Sequence, residues 1–162
     1  MSIAIFKLKE KHMKLYFESK LNVTADTLWQ WIISKKGINT ELSPILKMTS
    51  LDRFNIKHKD QLKLGQPMTI SWIMLFGIIP IDRSKITLMA IEEGKYFIEQ
   101  SPMIGMKLWR HKRSITEFAT KGSVLIDELD FEPRFFKSVI IWFIKKLFEN
   151  RHQQLKRIFG DI

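Results

Sequence analysis

Hydrophobic and polar residues alternate over most of this chain and recur at helical spacing at its C-terminal end. The helical stretch runs from Pro133 to Gly160. Phe136, Ile140, Phe143, Ile144, Leu147, Phe148, Arg151, Leu155, Ile158 and Phe159 recur there every three or four residues. Pro133 suits a first helical position, and Gly160 suits the position just past a helix end. At 1.5 Å per residue the spacing predicts a rod of roughly 40 Å, as long as a whole small domain. Ile141 and Trp142 lie off the main stripe, so the middle of the rod is apolar nearly all round. Another element covers that second side, or it meets a partner.

Upstream the period is two. Leu15, Phe17, Ser19 and Leu21 alternate with Tyr16, Glu18, Lys20 and Asn22, which predicts a first strand over Lys14–Val23. Thr24 then reads as a helix N-cap with Asp26 in the first turn. A helix carrying Leu28, Trp29, Trp31 and Ile32 is expected to stop near Gly37, and Ser34–Thr40 can add a short second one before Pro44. Six strands follow, over Ile45–Arg53, Pro67–Phe76, Ile79–Glu92, Lys95–Ser101, Lys107–Phe118 and Ser123–Glu132. Glu93-Gly94, Lys121-Gly122 and Gly77 mark turns. Strands in a row followed by a long helix give an α+β layout, an antiparallel meander with helices on one face. The 162 residues fit a single domain, 1–162.

The period-two geometry also sorts the polar side chains. Trp109, His111, Arg113 and Ile115 share one strand face, and Leu125, Asp127, Leu129 and Phe131 share another. The second face is apolar apart from Asp127, so it points inward, and a carboxylate there needs a partner. A hairpin through Thr120-Lys121-Gly122 brings Asp127 to Arg113 or His111. Phe97, Glu99 and Ser101 form a mixed face one strand earlier. Glu99, Trp109, His111, Arg113 and Asp127 are therefore either a polar cluster at one end of an apolar cavity or a satisfied ion-pair network between strands. In the first case they orient a ligand's head group or serve acid–base chemistry, with His111, Asp127 and Glu99 as the catalytic candidates.

Trp72–Ile81 is a second singular stretch, interrupted by Gly77 and Pro80. It is either two buried strands joined by a turn, or an exposed tip of Phe76, Ile78 and Ile79 at a ligand portal or membrane contact. Met68, Met74, Met89, Met103 and Met106 suit either an ordinary core or an adaptable pocket.

Composition narrows the classes. The 45% of hydrophobic residues and 12 phenylalanines support a sizeable core. With no cysteine there are no disulfides, no thiol chemistry and no cysteine-ligated metal, which suits a reducing compartment. The four histidines, His12, His58, His111 and His152, lack metal-ligand spacing, so no metal and no cofactor is expected. No GxSxG motif marks a serine nucleophile. The segment MSIAIFKLKEKHMK carries no continuous apolar run and no small-residue cleavage site, so no signal peptide is expected. A cytoplasmic protein, able to sit peripherally at a membrane, is the expectation. The net charge of +10 attracts anions, and makes transient contact with anionic lipid a candidate. The basic residues carry no nucleic-acid motif, and nucleic acid is not an expected partner.

The residues Trp109-Arg-His111-Lys-Arg113, then Asp127-Glu-Leu-Asp-Phe-Glu-Pro133, then a long helix ending Arg151-His-Gln-Gln-Leu-Lys-Arg-Ile-Phe159, resemble the SRPBCC superfamily. This is the START-like, birch-pollen-allergen-like helix-grip fold, and the similarity is to its small polyketide-cyclase-like branch. Phe97-Ile-Glu99 and Trp29 fit the same pattern, which spans about Lys11 to Phe159. The resemblance implies a curved seven-stranded antiparallel sheet wrapped around the C-terminal helix, with one or two short helices after the first strand. It implies an apolar cavity for lipids, sterols or polyketides. The branch commonly carries Trp-x-His-x-His, and here the second position is Arg113, which stays protonated and cannot be a base. The expected function is non-enzymatic binding of a hydrophobic or amphipathic small molecule between sheet and helix. Its lining would comprise Phe97, Glu99, Trp109, His111, Arg113, Asp127, Phe136, Ile140, Phe143 and Leu147, and the basic balance favours an anionic head. The rival readings are a cyclase or dehydratase using His111 with Asp127 or Glu99, and a membrane- or protein-docking module.

Overall fold

Side chains that cap helix ends set the first turn-rich layer. In the computed structural model, which describes residues 12–51, 62–118 and 120–162, β1 (Met13–Leu21) leads into α1 (Ala25–Ile32) and α2 (Lys35–Leu42). The Thr24 hydroxyl accepts from the Thr27 amide at 3.4 Å, and the Ser34 hydroxyl accepts from the Gly37 amide at 2.9 Å. The second cap changes the expected ending. The first helix stops at Ile32 and not near Gly37, because Ser34 starts a new helix that takes Gly37 inside it. A Cβ at Gly37 would lie 2.0 Å from the Trp31 carbonyl oxygen, so only glycine lets the two helices pack this closely.

Six further strands follow: β2 (Leu46–Met48), β3 (Pro67–Leu75), β4 (Ile79–Glu92), β5 (Tyr96–Gln100), β6 (Met106–Phe118) and β7 (Gly122–Pro133). The described part of the expected Ile45–Arg53 strand shortens to the three residues of β2, while Arg53 and His58 lie outside the described residues. All pairings are antiparallel, in the order β1-β7-β6-β5-β4-β3-β2. The sheet curls, and α3 (Lys137–Phe159) lies in its concave side.

Two details of α3 differ from the periodicity. Pro133 is the last residue of β7, paired with Met106, and does not open the helix. A strand end tolerates its missing N–H, and the Arg134 amide extends the ladder to the Gly105 carbonyl at 3.0 Å. Phe136 then takes a left-handed conformation, φ 49°, and the helix starts behind it. The rest follows the pattern. Ile144, Leu147, Phe148, Arg151, His152 and Leu155 are buried on one stripe. Phe148 stacks on Phe17 of β1 with centroids 5.6 Å apart. Each such side chain contributes about 1.5–3 kcal/mol of apolar burial. Leu155 closes a second cluster with Leu28, Trp29, Ile32, Leu88, Ile115 and Leu125.

Candidate functional site

Strand pairing delivers the polar residues to one end of the curl. Glu99 stands opposite His111 across β5 and β6, and Arg113 stands opposite Asp127 across β6 and β7. Period two puts Trp109, His111, Arg113 and Ile115 inside, and all four are buried. Asp127, on the inward apolar face of β7, is fully enclosed.

Its partners account for all four lone-pair directions of the carboxylate. Oδ1 accepts from Arg113 Nε at 2.7 Å and His111 Nε2 at 2.6 Å. Oδ2 accepts from Arg113 Nη2 at 2.8 Å and His152 Nε2 at 3.0 Å. Burial opposes ionisation of Asp127, but Arg113 and His111 outweigh it and hold the pKa well below the ordinary carboxylate range. Burial likewise opposes the Arg113 charge, and Asp127 and Glu41 overcome it, raising its pKa. Because Asp127 only accepts, both histidines carry the proton on Nε2. His152 Nδ1 then accepts from the Ser19 hydroxyl at 2.8 Å.

A second carboxylate completes the network. Glu41 of α2 is buried, and its Oε2 accepts from Arg113 Nη1 at 2.7 Å and from Arg151 Nε and Nη2 at 3.1 and 2.9 Å. Two carboxylates and two guanidiniums thus balance, tying α2, β6, β7 and α3 together. Burial, then the nearby Arg113 charge, lower the Arg151 pKa despite Glu41. The alternation in the chain had singled out Arg113 and Asp127 but neither Glu41 nor His152. Glu41 falls in a stretch legible only as a helix break, and its one signal is a carboxylate beside Leu42 on a short helix that must bury a side.

In front of this network lies a cavity of about 340 Å³. Its walls are apolar: Leu42 from α2, Leu46 and Met48 from β2, Ile73 and Ile86 from the sheet, and Ile140, Phe143, Ile144, Leu147 and Phe148 from α3. The polar lining is Asp82, Glu99, His111 and Arg151. Of the residues expected from sequence, Phe97, Glu99, Trp109, His111, Ile140, Phe143 and Leu147 line the space. Arg113 and Asp127 lie behind the lining, fully enclosed in the ion network. Phe136 stands outside it, 76% exposed at the start of α3. Among the described residues no group of three or more His, Asp or Glu side chains could hold a metal ion.

The mouth is apolar as well. Ile81, Ile104 and Phe135 line the cavity and are also exposed. The loop carrying Ile104 is pinned by Asp82, which accepts from the Ile104 and Gly105 amides at 2.9 Å each. A Cβ at Gly105 would lie 2.8 Å from the Asp82 carboxylate, so a side chain there would push this loop off its anchor. Phe76, Ile78 and Ile79 at the β3–β4 turn are exposed too, as are Val139 and Trp142 on α3. No helix among the described residues is long and apolar enough to cross a membrane.

No curated protein matches the sequence. Solved structures do match in three dimensions. Protein CV1439 from Chromobacterium violaceum superimposes with a TM-score of 0.66 at 8% identity, over 92% of this chain and 99% of that one. The Zhui aromatase/cyclase from Streptomyces sp. R1128 gives 0.65 at 10% identity, over 93% and 99%. A START superfamily protein from Mycobacterium smegmatis gives 0.62 at 10% identity, over 90% and 98%. At these identities the likeness establishes the fold alone, the helix-grip fold expected from the sequence. The family model described as Domain of unknown function (DUF8410) matches residues 19–159, and the chain belongs to that family.

Proposed function

We propose that this protein binds a hydrophobic or amphipathic small molecule in the cavity between the sheet and α3. The observation that carries this reading is an apolar space of about 340 Å³ whose few polar lining groups are Asp82, Glu99, His111 and Arg151. Small-molecule sites are concave, mostly apolar and fitted with a few placed polar groups, typically over about 300–1,000 Å³. The similar structures include one named as a START superfamily protein and one as an aromatase/cyclase, and an apolar pocket suits either. The exposed apolar rim supports loading at an anionic membrane surface. Between Glu132 and Glu149 every charged residue is basic: Arg134, Lys137, Lys145 and Lys146.

Mass spectrometry of the purified protein under gentle conditions tests the reading, together with titration by N-phenylnaphthylamine, a neutral apolar fluorophore. A bound small molecule released by organic solvent, or saturable probe binding, is expected. A bare chain that also leaves the probe in water would refute it.

One observation favours a second reading, catalysis of a cyclase or dehydratase kind. His111 lines the cavity while Asp127 holds its Nε2, which suits an oriented general base. Under that reading His111→Ala abolishes turnover of a substrate while leaving its binding nearly intact.

A further inference from the structure

We propose that the pocket selects a ligand whose polar end donates hydrogen bonds, a hydroxyl or an amine, over the carboxylate of the same apolar skeleton. This rests on the ligand-binding reading above and names the head group that the site takes.

The inference starts from two acceptors that face each other. Glu99 and His111 are partners in the β5–β6 register, both line the cavity, and Glu99 Oε2 lies 3.9 Å from His111 Nδ1. His111 is 3% exposed. Its Nε2 donates to the Asp127 carboxylate, and in the neutral imidazole Nδ1 then presents a lone pair. The ring is clamped edge-on by Phe97 and Phe148, at centroid distances of 5.9 and 5.3 Å, which fixes where that lone pair points.

Glu99 is fixed in the same way. The Thr87 amide donates to the Ser101 hydroxyl oxygen at 3.1 Å, which directs the hydroxyl proton onward to Glu99 Oε1. Oε2 is left facing Nδ1. A separation of 3.9 Å is too long for a hydrogen bond between them. It suits a donor seated between the two, where an amine reaches both acceptors and a hydroxyl reaches one.

The cations of the site do not reverse this. Arg113 is enclosed, with Nε, Nη1 and Nη2 each bonded to Asp127 or Glu41. Arg151 lines the cavity, but its Nε and Nη2 are committed to Glu41. Asp82, the remaining polar wall, is the second carboxylate of the lining. Among the described residues the uncompensated charge beside His111 is therefore that of Glu99, and an entering carboxylate brings a like charge and no donor. The chain's +10 does not extend into its pocket, so the anionic head suggested by net charge is reversed by the local geometry.

Displacement of N-phenylnaphthylamine by decanol, decylamine and decanoate at neutral pH tests this. Decanol and decylamine are expected to bind about tenfold or more tightly than decanoate. In Glu99→Gln that gap closes, and the advantage of the ammonium over the alcohol, which reads the Glu99 charge, disappears. Decanoate binding as tightly as decanol overturns the proposal, as does an unchanged gap in Glu99→Gln or failure of all three to displace the probe. Failure of the probe itself to bind the wild-type protein instead overturns the ligand-binding reading on which the proposal rests.

Discussion

Arg113 and Asp127 meet across β6 and β7 through two parallel hydrogen bonds, Nε to Oδ1 at 2.7 Å and Nη2 to Oδ2 at 2.8 Å, with both side chains fully enclosed. A fork of this kind joins a planar donor pair to a planar acceptor pair and fixes both in direction. It also holds Asp127 where His111 and His152 can reach it. The polar wall of the cavity is thus built from behind.

Breaking the pair from one side is expected to be costly. Asp127→Asn leaves the Arg113 guanidinium buried beside Arg151 with only Glu41 to balance both charges. The expected loss, read from urea denaturation, is about 3–5 kcal/mol. Adding Arg113→Met to that variant should cost less than the sum of the two single changes, because the second removes the charge that the first stranded. A loss under about 1 kcal/mol for Asp127→Asn, the range of an exposed pair, would show that the network is not holding the fold.

The same carboxylate gives a pH signature. The folded pKa of Asp127 is depressed below its unfolded value. At a pH between those two values the unfolded chain binds the extra proton, so stability falls as the pH falls. The Asp127 contribution is complete above about pH 5 and is lost as the pH drops through the depressed folded value. The stability difference between wild type and Asp127→Asn, measured at neutral and at acidic pH, should therefore shrink on acidification. A difference that stays constant down to about pH 3 would contradict the assignment.

Much of this arrangement was legible in the chain because it is local. Alternation over Lys107–Phe118 and Ser123–Glu132, joined by a short turn, is enough to place Asp127 beside Arg113 and His111. The exposed tip at Phe76 and Ile78 was one of two open readings, and only the packed sheet decides for it, with 63% and 75% exposure. What the chain hid is nonlocal. Glu41 reaches Arg113 across 72 positions and Arg151 across 110, and no periodicity carries that information. The start of the last helix was misplaced for a different reason. Pro133 and Phe136 satisfy helical spacing, but β7 claims Pro133 by pairing it with Met106, and the chain must turn before the helix can enter the curl.

The apolar rim predicts contact with lipid. Phe76, Ile78, Phe136 and Trp142 are exposed, and Arg134 just ahead of α3 joins Lys137 and Lys145 on it. Each basic residue near an anionic surface contributes about 1 kcal/mol, screened by salt. Sedimentation with phosphatidylserine-containing vesicles is expected at low salt, weakening as salt rises. The double variant Ile78→Ser with Trp142→Ser should remain folded and sediment less. No sedimentation of the wild type at low salt would remove the membrane from the account.

The cavity itself is open to the most direct test. Ile140 and Leu147 of α3 face the space from one side, so Ile140→Trp should fill part of it without touching the ion network behind. Calorimetric titration of wild type and Ile140→Trp with N-phenylnaphthylamine, beside their melting curves, gives the decisive comparison. The account predicts one saturable site per wild-type chain and binding weakened about tenfold or more in a variant that still melts cooperatively. Equal affinity in the two folded proteins would place the site elsewhere and contradict it.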